Sequence, residues 1–301
     1  MKFYITGGTG FIGSRLCQML VEDGHHIKAA SRNPGKHSGS GNEKLQFVPV
    51  QDDPSDHLSE TDVVINLAGE NIFGKRWTKS VKKRIYESRI RTTSALVSGM
   101  EKADKKPHLF ISASGVDYYN DQGDDVITED SESGDGFLAD VCREWEAESA
   151  RAADFGVRVV NPRFGVVLGK GGGALATMLP VFKSFIGGSL GSGKQFFPWV
   201  HISDLCRSLL FVVKNEEISG PVNITAPEPV TMDTFTSVLG EVLSRPSVFR
   251  VPGFALQAAF GEAAEMLTAS HRVVPEKLQK HGFDFDFSTL KPALVDLLLK
   301  N

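Results

Sequence analysis

Three glycines near the start of the chain have the spacing of an anion-binding turn. Gly7, Gly10 and Gly13 form a GxxGxxG pattern between a short apolar stretch, KFYIT, and an amphipathic stretch, FIGSRLCQML. In a strand–turn–helix unit such glycines allow a tight turn, close approach of the backbone to a diphosphate, and close packing of the helix on the strand. Amide groups at the helix start then face the anion, and the helix dipole favours negative charge there. The pattern predicts a dinucleotide site at this turn.

The residues that follow the second predicted strand indicate which dinucleotide binds. In the NAD version of such a site, an acidic residue about 20 residues beyond the glycines binds the ribose 2′-hydroxyl. Here the strand HIKAAS ends in Ser31, Arg32, Asn33 and Pro34, and no carboxylate is present. A guanidinium makes paired, charge-assisted hydrogen bonds to phosphate, so Ser31 and Arg32 favour NADP(H). The alternative is that Arg32 is simply an exposed arginine in a loop.

Further cofactor contacts are expected after the fourth strand, VVINL. Small residues at the carboxyl end of a parallel strand let the chain pass close to a ligand in the crevice. Arg89 lies on a long helix predicted over Lys75 to Met100, whose start should pack beside that strand. The complete set predicted for the cofactor is Gly7, Gly10, Phe11, Ile12, Gly13, Ser31, Arg32, Leu67, Ala68, Gly69, Arg89 and Val167.

The elements that position these residues alternate between short apolar strands and helices as far as the strand Val157 to Pro162. Such alternation predicts a parallel sheet with right-handed crossovers. The expected fold class is α/β, a Rossmann-type doubly wound parallel sheet with a smaller, mainly helical C-terminal region on the substrate side. We expect an NADP(H)-binding domain over residues 1–225, in which 172–202 contribute to the substrate side, and a small C-terminal domain over 226–301.

Composition excludes several classes of function. The 33 basic and 37 acidic side chains provide no strongly basic surface for nucleic acid. The three cysteines are scattered without a CxxC pair, and the eight histidines lack metal-ligand spacing. No apolar run is long enough to span a bilayer, and the chain starts with a strand instead of a signal peptide. We expect a cytoplasmic protein with a small-molecule substrate and without metal, nucleic-acid or membrane partners; a homodimer stays open.

Several segments together resemble a known family. TGGTGFIG, SRNP, NLAGEN and FPWVHISDL resemble extended or atypical short-chain dehydrogenase/reductases. The segments SRIRTT, GKGGGAL and VPGFALQAAFGEAAEMLTASHRVVPEKLQKHGFDF narrow the resemblance to the "epimerase family protein" branch of NAD-dependent epimerase/dehydratases, whose members carry a small C-terminal domain of unknown function. The resemblance covers essentially the whole chain. It implies a Rossmann fold and NADP(H) binding, with no established substrate.

Typical members of the wider superfamily use a Tyr-x-x-x-Lys pair, in which the lysine lowers the tyrosine pKa and the tyrosine moves a proton. None of the four tyrosines here has a lysine four positions later. With Glu146 as the register mark, Leu138 and Cys142 stand where the pair belongs. Neither can replace it, because leucine has no titratable proton and a thiol does not substitute for an ammonium against a ribose.

Two other residues are therefore the catalytic candidates. Ser114 matches the serine or threonine that positions the substrate oxygen, and Tyr118, or its neighbour Tyr119, would supply a phenol from a different place. The alternative is that Ser114 caps a turn and that both tyrosines pack their rings in the protein while their hydroxyl groups contact water. The acidic run from Asp124 to Asp135 is expected to be a solvated loop.

Two functions stay open at this point. One is an epimerase/dehydratase-like enzyme or oxidoreductase that uses NADP(H) on an unknown substrate. The other is a non-catalytic NADP(H)-binding sensor or interaction protein.

Overall fold

A computed structural model describes residues 1–37, 42–74 and 76–299. Its strands are β1 (Lys2–Thr6), β2 (His26–Ser31), β3 (Leu45–Pro49), β4 (Val63–Asn66), β5 (Leu109–Ser112), β6 (Ser114–Gly115), β7 (Arg158–Phe164), β8 (Val166–Gly169), β9 (Gly188–Leu190), β10 (Phe196–Phe197), β11 (Trp199–His201), β12 (Gly220–Ile224), β13 (Val230–Thr231) and β14 (Phe249–Val251). Its α-helices are α1 (Phe11–Glu22), α2 (Ser55–Ser59), α3 (Lys79–Lys102), α4 (Phe137–Ala150), α5 (Gly173–Lys183), α6 (Ile202–Lys214), α7 (Met232–Leu243), α8 (Gly253–Phe260), α9 (Glu265–Thr268), α10 (Glu276–Lys280) and α11 (Leu290–Leu298).

The central sheet is parallel and has the strand order β3-β2-β1-β4-β5-β7-β12, with β6 paired beside β7. The order reverses at β1, since β2 and β3 lie on one side of it while β4 and β5 lie on the other. In an open parallel sheet this switch point opens a crevice at the carboxyl ends of the strands, where ligands bind. The predicted Rossmann-type fold is confirmed.

Helices cover both faces of the sheet, which is why its strands are almost continuously apolar. Phe3 and Ile5 of β1 point into a core shared with α1 and α6. Tyr4, on the other face, packs with Leu96 and Val97 of α3. No helix among residues 1–37, 42–74 and 76–299 is both long and apolar enough to cross a membrane.

A third core joins the segment after β7 to the C-terminal region. Leu175 of α5, Phe235 of α7 and Leu294 of α11 are members of it. The chain then returns to the sheet, because Leu278 and Phe283 belong to the core on the α1 and α6 face. The C-terminal region is thus anchored to the sheet as well as to its own helices.

Two local predictions differ from the structure. The long helix α3 begins at Lys79, where the Thr78 side chain accepts a hydrogen bond from the Val81 amide at 3.3 Å and caps the helix; Lys75 lies outside the described residues. The two-residue strand β6 was not predicted. It continues the path of β5 and pairs Ser114 with Arg163 of β7.

Candidate functional site

The glycine turn after β1 packs directly on the chain that leaves β4. Gly7 has a φ of +73°, and a Cβ atom there would lie 2.6 Å from the carbonyl oxygen of Leu67. A Cβ atom on Gly13 would lie 2.2 Å from the carbonyl oxygen of Gly7. Both positions therefore require glycine, one for its backbone conformation and both for close approach. The packing brings Leu67 and Ala68 next to the start of α1.

The start of α1 presents unpaired backbone donors. Gly10 is the N-cap residue and has no side-chain cap, while its own amide donates to the Gly7 carbonyl at 2.9 Å. The first amides of a helix have no acceptor within the helix. The Phe11 and Ile12 amides thus lie at the positive end of the helix dipole. This donor set fits the diphosphate of a dinucleotide.

Ser31 and Arg32 stand at the same edge of the sheet. β2 lies beside β1, with Ala30 opposite Thr6, so the chain after β2 emerges next to the glycine turn. Ser31 is buried, and its hydroxyl accepts a hydrogen bond from the Asn33 amide at 3.2 Å. Arg32 is exposed, and no hydrogen bond or ion pair from the described part of the chain engages its guanidinium. The Arg32 guanidinium is therefore available to bind an anion at this edge of the sheet.

Asn66, which sequence reasoning missed, organises the chain after β4. Its side-chain oxygen accepts from the Thr6 hydroxyl at 2.6 Å and from the Ala68 amide at 3.3 Å. Its amide donates to the hydroxyls of Thr93 at 2.9 Å and Ser112 at 3.3 Å. One buried side chain thereby fixes β1, β4, β5 and α3 relative to one another and sets the path of the loop that starts at Leu67.

Arg89 holds the same loop from the side of α3. Its guanidinium donates to the Glu70 carbonyl at 3.2 Å and lies 5.2 Å from the Trp145 ring. A Cβ atom on Gly69 would lie 3.2 Å from the guanidinium carbon, so a side chain there would crowd the guanidinium. Burial lowers the Arg89 pKa. Val167, the remaining predicted contact, lies on β8 opposite Val200 of β11.

Ser114 belongs to a buried ion-pair network. Its hydroxyl donates to Glu146 Oε1 at 2.6 Å. Arg163 binds the same carboxylate with two parallel hydrogen bonds, from Nε and Nη2, each at 2.8 Å. Although burial opposes its charge, the pairing with Glu146 raises the Arg163 pKa. Such a two-point arginine–carboxylate contact fixes orientation as well as adding energy.

The two tyrosines pack on this arginine. The Arg163 guanidinium carbon lies 3.4 Å from the centre of the Tyr118 ring. The Tyr119 hydroxyl accepts from Arg163 Nη1 at 2.8 Å and donates to Asn223 Oδ1 at 2.7 Å. Burial raises the Tyr119 pKa to about 12. The catalytic assignment of Ser114 and Tyr118 stays a prediction, and the structure shows that both also hold Arg163 and Glu146 in place.

A cavity of about 320 Å³ lies between the segment after β6, the start of α4 and the C-terminal region. Its lining includes Trp77, Asp117, Asp135, Phe137, Leu138 and His271. The sequence predicts that Leu138 stands where the family's tyrosine belongs, and the cavity is lined by this residue. Cys142, at the lysine position, is a buried thiol whose pKa burial raises to about 12, and it is therefore neutral.

Asp117 and His271 both line this cavity. Burial raises the Asp117 pKa, while the nearby positive charge of Arg89 opposes the rise. A Cβ atom on Gly115 would lie 3.4 Å from Asp117 Oδ2 and 3.9 Å from the Cys142 sulfur, so this carboxyl lies close to the lysine position. Its place just beyond Ser114 was a signal in the sequence. His271 had none, since it comes from the C-terminal region.

The acidic run after Asp121 is not wholly solvated, in contrast to the prediction. Glu129 is buried and accepts from the amides of Asn223 at 3.0 Å and Lys277 at 3.2 Å. Asp135 lines the cavity. The run connects the C-terminal region to the sheet, because the buried carboxylate satisfies amides from both.

Comparisons with known proteins agree with this geometry. A model described as the NAD dependent epimerase/dehydratase family matches residues 3–225, and a domain of unknown function (DUF1731) matches residues 251–297. The epimerase family protein SDR39U1 homolog, chloroplastic, of Arabidopsis thaliana is 41% identical over 306 residues, which cover 98% of this chain and 86% of that protein. The epimerase family protein YfhF of Bacillus subtilis is 38% identical over 299 residues, which cover 99% and 98%.

Solved structures show the same relationship. The crystal structure of human epimerase family protein SDR39U1 (isoform 2) with NADPH is similar with a TM-score of 0.89 and 34% identity, and the match covers 100% of both chains. UDP-glucuronic acid 4-epimerase from Bacillus cereus, solved with UDP-glucuronic acid and NAD, has a TM-score of 0.80 at 19% identity and covers 99% of this chain and 98% of the epimerase. The second likeness concerns the fold alone. The chain belongs to the NAD-dependent epimerase/dehydratase family.

Proposed function

We propose that this protein binds NADP(H) at the crevice between β1, β2 and β4 and uses it on a small molecule in the cavity beside Leu138. Two observations together carry the proposal. The helix that starts at Gly10 has no side-chain cap, and Arg32, whose guanidinium has no partner in the described chain, stands where an NAD site has a carboxylate. The human relative that was solved with NADPH supports the same cofactor.

Each part of the crevice suits one part of the dinucleotide. The Phe11 and Ile12 amides would hold the diphosphate, and Ser31 with Arg32 would hold the 2′-phosphate. The loop at Leu67 would line the crevice, held by the hydrogen bonds of Asn66 and Arg89 described above. When bound, the nicotinamide supplies hydride-transfer chemistry.

The cavity must then supply or accept a proton. Reduction of a carbonyl adds a hydride to carbon and a proton to oxygen, and epimerisation through a ketone needs the reverse step as well. Asp117 is placed to give this proton from its Oδ atom and to regain one from water, because burial raises its pKa. Ser114 and Tyr118 remain candidates, and their contacts with Glu146 and Arg163 suit them to holding the site in shape.

The test is NADPH oxidation with a panel of aldehydes, ketones and nucleotide sugars. We expect Asp117→Asn to reduce turnover by about 100-fold or more, the usual range for loss of general acid–base catalysis, with NADPH affinity nearly unchanged. Asp121→Asn is the matched control, since Asp121 also lines the cavity and accepts a hydrogen bond from the Gly123 amide at 2.9 Å. Ser114→Ala and Tyr118→Phe test the other two candidates. An active wild type that keeps its rate in Asp117→Asn would refute the role of Asp117.

A specific observation also favours a second function, a non-catalytic NADP(H)-binding sensor. The hydroxyls of Ser114 and Tyr119 are already engaged by Glu146, Arg163 and Asn223, as they would be in a site that only binds. In this case the protein binds the cofactor without turnover, and capture of a partner responds to NADPH against NADP⁺. Absence of any cofactor-dependent partner would count against it. A cytoplasmic location also stays a prediction.

A further inference from the structure

The cavity beside Leu138 has charged side chains of one sign. Apart from His271, the Tyr119 phenol and Asp117, whose pKa is raised by burial, its ionisable lining consists of the exposed carboxylates of Asp121, Asp135, Glu262 and Glu265. Glu262 forms an ion pair with Lys82. For the other three, the described chain provides no ion pair, and neither a lysine nor an arginine from it lines the cavity. Carboxylates gathered around one cleft make its potential negative and favour a cation.

A buried polar group faces the same space. His271 is 8% exposed, and its Nε2 atom lies 3.3 Å from the Tyr119 carbonyl oxygen. Its Nδ1 atom has no partner in the described ranges, although the ring lines the cavity. A ring nitrogen that is accessible from a cavity and has no protein partner is a group that a bound molecule can satisfy.

Aromatic rings complete the wall. Trp77 and Phe137 meet edge to face with ring centres 5.6 Å apart, and the Trp77 indole donates to the Ile72 carbonyl at 3.1 Å, which fixes its orientation. The Lys82 ammonium lies 4.8 Å from the centre of the Phe137 ring, so this ring already accepts a cation. Aromatic faces beside carboxylates form a surface suited to an ammonium group.

We propose that the substrate bound in this cavity carries an amine or another cationic group and is not a nucleoside diphosphate sugar. The start of α4 at Gly136 lines this cavity, but no lysine or arginine of the described chain does, and the carboxylates would oppose the charges of a diphosphate. The volume of about 320 Å³ is also at the small end of ligand pockets. This inference rests on the proposed function, since it takes the cavity as the substrate site. It distinguishes the protein from the UDP-glucuronic acid epimerase of the same fold.

The test uses three probes of similar size but different charge: benzylamine, benzyl alcohol and benzoate. Their binding to the protein in the presence of NADP⁺ is measured by calorimetry at neutral pH, with UDP-glucuronic acid as a fourth ligand. We expect benzylamine to bind at least tenfold more tightly than benzyl alcohol, and benzoate and UDP-glucuronic acid to bind most weakly. The double substitution Asp135→Asn and Glu265→Gln should reduce the benzylamine preference at least threefold. Asp130→Asn, an exposed carboxylate outside the lining, should leave it unchanged.

Three outcomes would overturn the inference: a series that binds equally or not at all, a preference for benzoate or UDP-glucuronic acid, or a benzylamine preference that survives the double substitution. A separate NADPH titration of each variant distinguishes the two proposals. Loss of cofactor binding in the wild type refutes the proposed function. Normal cofactor binding with a flat charge series refutes only the amine preference.

Discussion

Replacement of Arg32 by aspartate tests the cofactor assignment at a single exposed side chain. Arg32 stands just after β2, at the edge of the sheet that also carries the glycine turn, and its guanidinium has no partner in the described chain. Its removal therefore breaks no internal contact, and the fold should keep its stability. The substitution also restores the acidic residue type that NAD sites carry beyond the second strand.

The magnitude follows from exposure and bonding geometry. An exposed ion pair by itself contributes only about 0.2–1 kcal/mol, because water and salt screen it. A guanidinium on a phosphate adds paired, charge-assisted hydrogen bonds, so loss of the contact should cost about 2–3 kcal/mol. This corresponds to about a 30- to 140-fold weaker NADPH affinity. NADH has no 2′-phosphate, so its affinity should change by less than about threefold on the same scale.

The assay is fluorescence titration of the wild type and the variant with NADPH and with NADH, at fixed salt because exposed charges are screened. Lys183→Asp is the matched control, since it makes the same change of charge at an exposed residue on α5. It should leave both affinities unchanged. Equal weakening of NADPH and NADH by Arg32→Asp would remove Arg32 from the 2′-phosphate site. Unchanged NADPH affinity would show that the Arg32 guanidinium does not bind the 2′-phosphate.

Three further predictions concern the site and its support. Gly13→Ala should destabilise the fold by about 1–3 kcal/mol in urea unfolding and weaken NADPH binding, because its Cβ atom would lie 2.2 Å from a backbone oxygen. Gly35 has open space around it, so Gly35→Ala should change neither stability nor NADPH binding. A Gly13→Ala variant with unchanged stability would contradict the close packing at this turn. Glu146→Gln should lower the free energy of unfolding by about 3–5 kcal/mol, because it leaves the buried Arg163 without a charged partner. Glu241→Gln removes an exposed ion pair and should lower it by less than about 1 kcal/mol. Similar losses in the two variants would show that the buried pair stabilises the fold no more than the exposed one. Burial lowers the His201 pKa from 6.5 to about 4, so the unfolded chain binds a proton at this histidine before the folded protein does. Roughly 3 kcal/mol of stability that is present above pH 6.5 should therefore be lost as the pH falls towards 4. This loss should be absent in His201→Asn, and an equal loss in that variant would exclude His201 as its source.

The cofactor end of the molecule was predictable from sequence because its signals are local. The strand, the glycine turn and the start of α1 are consecutive, so the short segment that contains Gly7 and Gly13 is enough to predict the backbone geometry of the turn. The alternation of strands and helices likewise determined the parallel sheet, since crossovers have one hand. Arg32 lies one residue past a strand whose end was predicted correctly.

The catalytic end was less predictable because its contacts join distant segments. Ser114 was identified by its position after β5, but its partner Glu146 lies 32 residues away and Arg163 lies on another strand. The cavity needs His271 from the C-terminal region, which no spacing links to Asp117. Glu129 was grouped with exposed acidic residues because composition does not reveal that two amides from elsewhere would bury it.

The proposed cofactor site is tested most directly by a crystal structure determined from crystals grown with NADPH. We expect electron density for the dinucleotide with its diphosphate at the Phe11 and Ile12 amides, its 2′-phosphate against Arg32, and its nicotinamide directed to the cavity lined by Asp117 and Leu138. A dinucleotide bound elsewhere, or a 2′-phosphate that Arg32 does not contact, would contradict the proposed cofactor site.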